Sequence, residues 1–281
     1  MNRHIEKTVT GVQAADGDGV QLTRLIASPK LDMLDPFLLM DFFSSEKPQD
    51  YLGGFPPHPH RGFETVTYML AGKMRHKDSA GNEGVIEAGG VQWMRAGKGI
   101  VHSEMPEQEK GLLAGFQLWV NLPASHKMAK PGYQEINGQD IPEEIRDKNC
   151  RLKVIAGCTA KGTRGVIHHE FVDPVYWDIH LNRGATFIDK LPHKHNAFIY
   201  LIDGALNIGD SIKMIISKQL AILGKGDKIR VHANTHSRFL LIAGKPLNEP
   251  VARGGPFVMN SHQEVQQAFS DYASGKLADK F

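Results

Sequence analysis

Short apolar runs recur along most of the chain, and Gly, Pro, Asn or Asp residues stand between them. Many of these runs contain β-branched or aromatic residues, which favour strands, and the intervening residues favour turns. Repeated short strands with turn signals between them are typical of β-sandwiches and β-barrels. We therefore predict an all-β fold, with strands at residues 20–26, 63–70, 85–86, 90–94, 115–122, 151–156, 176–181, 197–202, 206–208, 214–216, 219–223 and 239–243.

The C-terminal segment has a helical pattern instead. Ser261 and Glu264 have the spacing of a capping box, and Gly275 supplies a stop. Between them the apolar positions recur at helical intervals, at Val265, Ala268, Phe269 and Tyr272. We predict a helix at 262–273 that packs its apolar side on a barrel, and a shorter helix at 141–147.

The length of 281 residues predicts two domains, since one domain takes roughly 150 residues. A weak internal repeat supports two similar halves, because segments 65–72 and 197–204 share an apolar pattern with a matched Tyr and Gly. We predict an N-terminal metal-binding domain at 1–134, a polar linker at 135–148, and a C-terminal domain at 149–281 that carries the helix.

Charge and hydropathy exclude several classes of partner. The chain has 33 Lys and Arg against 31 Asp and Glu, and the two signs are interspersed, so no basic surface for nucleic acid is expected. No apolar run reaches the ~20 residues of a membrane-spanning helix. Residues 1–6 lack the apolar core of a secretory signal. We expect a cytoplasmic protein without membrane or direct nucleic-acid contacts.

Two cysteines, Cys150 and Cys158, lie on a strand-like run. Their spacing is not that of a CxxC pair, so we expect buried, reduced thiols, as in cytoplasmic proteins. A regulatory disulfide between them is the alternative.

Two short motifs carry the candidate chemistry. The first holds His58 and His60, the second holds His102 and Glu104, and each pair has one intervening residue. Alternate side chains of a strand share a face, so each pair projects to one side. Imidazoles and a carboxylate are ligands that divalent first-row metals accept, and a site with few protein ligands keeps positions open. These residues predict a metal site, although fourteen histidines also make chance pairs on surface strands common.

Around these residues the chain resembles the pirin family of the cupin superfamily. The stretches that carry the resemblance run from the first strands to the C-terminal helix, at 35–41, 57–68, 92–94, 96–104, 117–123 and 256–260. The resemblance implies a bicupin, with two jelly-roll β-barrels that face one another, and a monomer is expected. It also implies one iron ion in the N-terminal barrel, bound by His58, His60, His102 and Glu104, although the ligands alone accept other first-row metals.

The carboxylate ligand has a second candidate. Cupins in general take a glutamate from just after the histidine pair, where Glu64 stands, whereas the pirin resemblance points to Glu104. We favour Glu104 and keep Glu64 as a candidate for holding a ligand imidazole in place.

The second half of the chain repeats part of the pattern. His193 and His195 are again one residue apart, and His236 follows at almost the interval that separates His60 from His102. When the two halves are aligned by the repeat, however, His193 and His195 lie three residues out of register with His58 and His60. In the same alignment Arg238 occupies the position that corresponds to Glu104. A second metal site is therefore left open, and the resemblance implies an empty C-terminal barrel.

The resemblance implies an iron-dependent dioxygenase of the quercetinase type, which opens the ring of a flavonol, or of another enolizable small molecule, with O2. Glu104 would then be the catalytic residue, acting as ligand and base by turns. The alternative is a redox-sensing regulatory protein, a transcription cofactor or a modulator of a metabolic enzyme, that contacts a protein partner and uses the same metal site. A cupin that binds metal without turnover is the third possibility.

Overall fold

The computed structural model describes residues 1–210 and 213–278, which form twenty-four β-strands, numbered in chain order, and one α-helix. Two short 3₁₀ turns, Pro48–Asp50 and Ala124–His126, complete the regular structure of these residues. The predicted all-β class with a C-terminal helix is confirmed. The chain divides into two compact units that interleave in sequence. The first unit comprises Val12–Ala27, Phe37–Gln139 and 247–278, and the second comprises Met1–Gly11, Ser28–Pro36 and Asp140–Pro246.

The first unit is built from two antiparallel sheets and a hairpin. Its strands are β2 (Val12–Asp16), β3 (Val20–Ile26), β4 (Phe37–Ser45), β5 (Phe55–His60), β6 (Phe63–Ala71), β7 (Lys73–Asp78), β8 (Glu83–Glu87), β9 (Val91–Arg95), β10 (Ile100–Pro106), β11 (Leu113–Asn121), β12 (Gly132–Ile136), β23 (Ala252–Gly254) and β24 (Phe257–Met259). The larger sheet has the order β12-β9-β6-β11-β4-β3-β2, the smaller has the order β5-β10-β7-β8, and β23 pairs with β24.

The second unit repeats this plan. Its strands are β1 (Ile5–Thr10), β13 (Glu143–Asp147), β14 (Cys150–Ala156), β15 (Val175–Leu181), β16 (Thr186–Lys190), β17 (Asn196–Asp203), β18 (Ala205–Ile208), β19 (Met214–Ile216), β20 (Gln219–Leu223), β21 (Lys228–Ala233) and β22 (Ser237–Gly244). The sheets have the orders β1-β20-β17-β22-β15-β14-β13 and β16-β21-β18-β19. Strands β6 and β17, which contain most of the repeated segments, therefore occupy the same position in their sheets.

The division into units differs from the predicted domain boundaries at both ends of the chain. Strand β1 pairs with β20, so the N-terminal residues complete a sheet of the second unit. The helix at His262–Ala273 contacts β23 and β24 and is part of the first unit, not of the second. The cause is long-range contact: β1 pairs with β20, Phe257 of β24 forms a bridge with Arg61, and Asp271 of the helix pairs with Arg61.

The segment predicted as a short helix at 141–147 is a strand. Strand β13 pairs antiparallel with β14, and the ion pair between Arg151 and Glu143 (3.0 Å) joins the two strands. Ile145 in this strand is exposed and therefore covers no core. The predicted linker therefore contains strand structure.

The predicted C-terminal helix is confirmed at His262–Ala273. Ser261 caps it, because its hydroxyl accepts a hydrogen bond from the backbone N–H of Glu264 and the Glu264 side chain accepts one from the backbone N–H of Ser261. Val265 and Ala268 are buried, and the ring of Phe269 packs edge-on against Phe257 at 4.9 Å. Such a capping box stabilises a helix start by about 1 kcal/mol.

The two cysteines are free thiols in different environments. Cys150 is buried, and this burial raises the pKa of its thiol to about 11. Cys158 is exposed, contrary to the expectation of two buried thiols. Within residues 1–210 and 213–278, no helix combines the length and the apolar character needed to cross a membrane.

Candidate metal centre

Three histidines meet where β5 and β10 pair. The two strands run antiparallel, with His58 directly opposite His102. His60 is two residues further along β5, so its side chain lies on the same face as that of His58. The ligand nitrogens of the three rings lie within 4.8 Å of one another. The prolines of β5 are tolerated because this strand is at the edge of its sheet and one side of its backbone needs no partner. The predicted convergence of the three imidazoles is therefore present.

Backbone carbonyls orient two of the imidazoles. Nδ1 of His58 lies 2.9 Å from the carbonyl oxygen of Pro56, and Nδ1 of His60 lies 3.4 Å from that of Pro256. A carbonyl only accepts, so each Nδ1 carries the hydrogen and each Nε2 presents a lone pair. The two Nε2 atoms are 3.0 Å apart. Nitrogens about 2.1 Å from one ion, in adjacent coordination positions, have about this separation.

His102 completes the group from the neighbouring strand. It is buried, and neither of its ring nitrogens has a hydrogen-bond partner in the described parts of the chain. A buried polar atom without a partner is costly, and a bound cation would remove that cost. Burial, and next the neighbouring His58, lower the pKa values of His60 and His102 well below the ordinary histidine value. Both rings are therefore neutral at pH 7, the form that binds metals, and the three residues fit a metal ion.

Glu104 lies beside the histidines but is held by other side chains. It is buried, its Oε1 accepts a hydrogen bond from the Thr67 hydroxyl and its Oε2 accepts one from the Gln117 amide, both at 2.9 Å. It is not part of the group of three close ligand atoms. It lines the same cavity as His58 and His60. Its role as fourth ligand and as base stays a prediction.

Glu64, the other candidate carboxylate, bonds to Trp93 and Arg95. Its Oε2 accepts a hydrogen bond from the indole N–H of Trp93 (2.7 Å), and its Oε1 accepts one from Arg95 (2.9 Å). Glu64 is three residues from Thr67 on β6, so the two side chains lie on opposite faces, and Thr67 faces Glu104. Glu64 is four residues after His60 and would share its face on one continuous strand. It does not, because β5 ends at His60 and the chain turns at Gly62, with φ of +89°, before β6 begins.

We expect Glu104→Gln and Glu64→Gln to separate these two carboxylates. The first change should lower the bound metal per chain, because an amide oxygen is a weaker ligand than a carboxylate and the charge is lost. The second should leave the metal content unchanged, because Glu64 bonds to Trp93 and Arg95. Elemental analysis of both purified variants measures this. Equal metal in the Glu104 variant and the wild type would contradict the assignment.

The candidate centre opens into a cavity of about 780 Å³. Its walls are mainly apolar, with Leu39, Phe43, Phe55 and Trp119 among them. Exposed residues, Asp16, Gly17 and Asp18, line the same cavity as the buried His60, so the cavity connects the protein surface with the histidines. Such a volume is within the usual range of small-molecule sites.

The histidines of the second half lie in a different setting. The strands equivalent to β5 and β10 are β16 and β21, whereas His193 and His195 follow β16 and His236 follows β21. The guanidinium of Arg3 donates hydrogen bonds to the carbonyl oxygens of Pro192 (2.7 Å) and His195 (2.9 Å), which fixes this loop.

Other partners hold the remaining side chains of this region. His195 faces Asp173 (3.4 Å), His236 lies 2.9 Å from the amide oxygen of Asn182, and Arg238 pairs with Asp178 (2.7 Å). Large buried apolar residues, among them Trp177, Phe187 and Phe239, fill the interior of the second unit. The structure therefore does not bring His193, His195 and His236 together.

Comparison with known proteins decides the family. A family model described as Pirin matches residues 19–120, and one described as Pirin C-terminal cupin domain matches residues 176–278. The chain belongs to the pirin family. A pirin-like protein of Caulobacter vibrioides is 51% identical over 275 residues, which are 98% of this chain and 99% of the relative. Pirin of Homo sapiens is 41% identical over 280 residues, which are 98% of this chain and 94% of the relative.

Solved structures agree with this membership of the pirin family. A crystal structure of quercetin 2,3-dioxygenase from Acinetobacter baumannii matches with a TM-score of 0.91 and 34% sequence identity, and 99% of each chain is covered. The predicted fold class, two cupin-type β-barrels with a C-terminal helix, is thereby confirmed for the chain.

Proposed function

We propose that this pirin-family protein is a metal-dependent dioxygenase that opens the ring of flavonols such as quercetin. The observation that carries the proposal is the convergence of three imidazoles at a cavity with largely apolar walls that reaches the surface. A regulatory sensor has no need of such an open route, so the cavity favours catalysis. The likeness to the Acinetobacter baumannii quercetin 2,3-dioxygenase supports the same activity.

We propose that His58, His60 and His102 hold the metal, with Glu104 as a further ligand. Iron is proposed from the family resemblance, because the imidazoles alone accept most first-row metals. When bound, a divalent metal lowers the pKa of a hydroxyl that coordinates it. The 3-hydroxyl of a flavonol lies beside a carbonyl and is acidic enough to lose its proton under that influence.

We propose that Glu104 takes that proton. Its Oε2 accepts a hydrogen bond from the amide of Gln117, so the substrate proton would bind to Oε1, the oxygen beside the Thr67 hydroxyl. The Thr67 hydroxyl has one hydrogen and lies 2.9 Å from both Glu104 Oε1 and Gln117 Oε1. Once Oε1 is protonated, it can donate to the Thr67 oxygen while Thr67 donates to Gln117. The three side chains can therefore accept either state of Glu104 without a loss of hydrogen bonds.

The proposal predicts oxygen-dependent loss of flavonol. Protein loaded anaerobically with ferrous iron and then mixed with quercetin in air should bleach the flavonol absorbance and consume O2 in equal amount. The His102→Ala variant, treated in the same way, is the control for free iron. Bleaching no faster than in this control would count against the dioxygenase.

A further inference from the structure

A continuous row of polar residues crosses the larger sheet of the first unit. Its members are direct cross-strand partners on six neighbouring strands, so they share one face of the sheet. We call these residues the polar row: Arg24, Asp41, Gln117, Thr67, Gln92 and Glu135. Strand interiors usually carry apolar residues on a core-facing side, so a polar row there indicates a ligand-facing surface.

The middle of the row belongs to the candidate metal centre, because Thr67 and Gln117 hold Glu104. Asp41 is the next member beyond Gln117 and lines the same cavity. Arg24 fixes its carboxylate, with Nε 3.0 Å from Oδ1 and Nη2 2.7 Å from Oδ2. Asp16 in turn holds the Arg24 guanidinium at 2.7 Å.

This arrangement presents acceptors to the cavity. A carboxylate has about four acceptor sites, and the paired Arg24 occupies two of those on Asp41. The acidic residues that line the cavity are Asp16, Asp18, Asp41 and Glu104, and the arginines are Arg24 and Arg253. The surplus is negative, which disfavours a carboxylate on the ligand and favours groups that donate hydrogen bonds.

We propose that Asp41, fixed by Arg24, accepts a hydrogen bond from a phenolic hydroxyl that lies away from the metal-bound end of the substrate. The aromatic walls at Phe43, Phe55 and Trp119 select a planar ring system, and Asp41 selects one that carries a hydroxyl donor. The inference rests on the proposed function, because it deepens the same site, and it makes Asp41 a specificity-determining residue.

Binding of three flavonols tests the inference without turnover. The ligands carry no, one or two hydroxyls on the pendant ring, and the protein is used both without metal and with zinc, which does not support oxygenation. Fluorescence quenching should show the wild type binding the dihydroxylated flavonol about tenfold or more tighter than the unhydroxylated one, since a hydrogen bond to a charged group is of this size.

Asp41→Asn should bring the three affinities within about threefold of one another. Asp203→Asn, an exposed change in the second unit, should keep the wild-type ranking. Should Asp41→Asn fold poorly, the affinities of the wild type for the three flavonols still decide. Equal wild-type affinities for the three flavonols would overturn the inference. A preserved ranking in Asp41→Asn would do the same.

The outcomes separate this inference from the dioxygenase proposal. Ferrous protein that consumes all three flavonols at equal kcat/KM, with equal binding, leaves the dioxygenase standing and removes the role of Asp41. Ranked binding with no oxygen-dependent consumption removes the dioxygenase and retains the Asp41 subsite.

Discussion

The His102→Ala variant is expected to be purified with almost no bound metal, whereas the wild type takes up about one ion per chain. The ring of His102 lies 4.4 Å from that of His58 and 5.1 Å from that of His60, measured between centroids, so its loss opens one side of the site. Loss of a residue that only supports a ligand lowers metal affinity about 10–100-fold, and loss of a ligand should lower it further. Dialysis against a metal buffer followed by elemental analysis measures the change.

The matched control for this variant is His236→Ala. This histidine is exposed and contacts Asn182, and it tests the second-half histidines at the same time. We expect its metal content to equal that of the wild type. Full metal content in His102→Ala would refute the site, and a reduced content in His236→Ala would show that the second half also binds metal.

Lys127→Met is expected to lower the free energy of unfolding by about 2–4 kcal/mol, because a buried cluster loses its donor. The Lys127 ammonium is buried and donates hydrogen bonds to the carbonyl oxygens of Gly62 (2.8 Å) and Val258 (3.0 Å) and to the side-chain oxygen of Asn121 (2.6 Å). Methionine fills a similar volume but leaves all three acceptors without this partner. Urea unfolding measures the difference, with the exposed Lys130→Met as control.

The same lysine should make stability depend on pH. Burial lowers the pKa of Lys127 from 10.5 to about 8 in the folded protein. Between these two values the unfolded chain binds the proton and the folded chain does not, so the free energy of unfolding should rise with pH in that window and be flat below it. The rise should be missing in Lys127→Met. An identical pH dependence in both proteins would contradict the assigned pKa.

Local sequence signals predicted twelve of the twenty-four strands of the described residues, and the C-terminal helix. The helix could be predicted because Ser261 and Glu264 specify its start within a few residues. Segment 141–147 was assigned wrongly because its polar residues and its two isoleucines, Ile141 and Ile145, fit either structure. The segment is a strand because it pairs with β14, and such pairing depends on the tertiary structure and not on the local sequence.

The histidines of the site were predictable because strand alternation fixes their faces. Glu64 was misplaced because an alternation argument fails across the turn at Gly62. Thr67 and Asp41 were not found at all. Their place beside Glu104 and Gln117 depends on which residues oppose one another on separate strands, and a sequence without cross-strand register does not contain that information.

The pairing of β1 with β20 has a consequence for how the protein is made. Ile5–Thr10 leaves the ribosome long before its partner Gln219–Leu223, which is synthesised more than two hundred residues later. Until then this nascent strand has no strand to pair with, and its edge is open to association with other chains. Glu6, Lys7 and Thr10 are exposed even in the folded protein. These polar side chains favour hydration of the segment over association with other chains until β20 is available to pair with it.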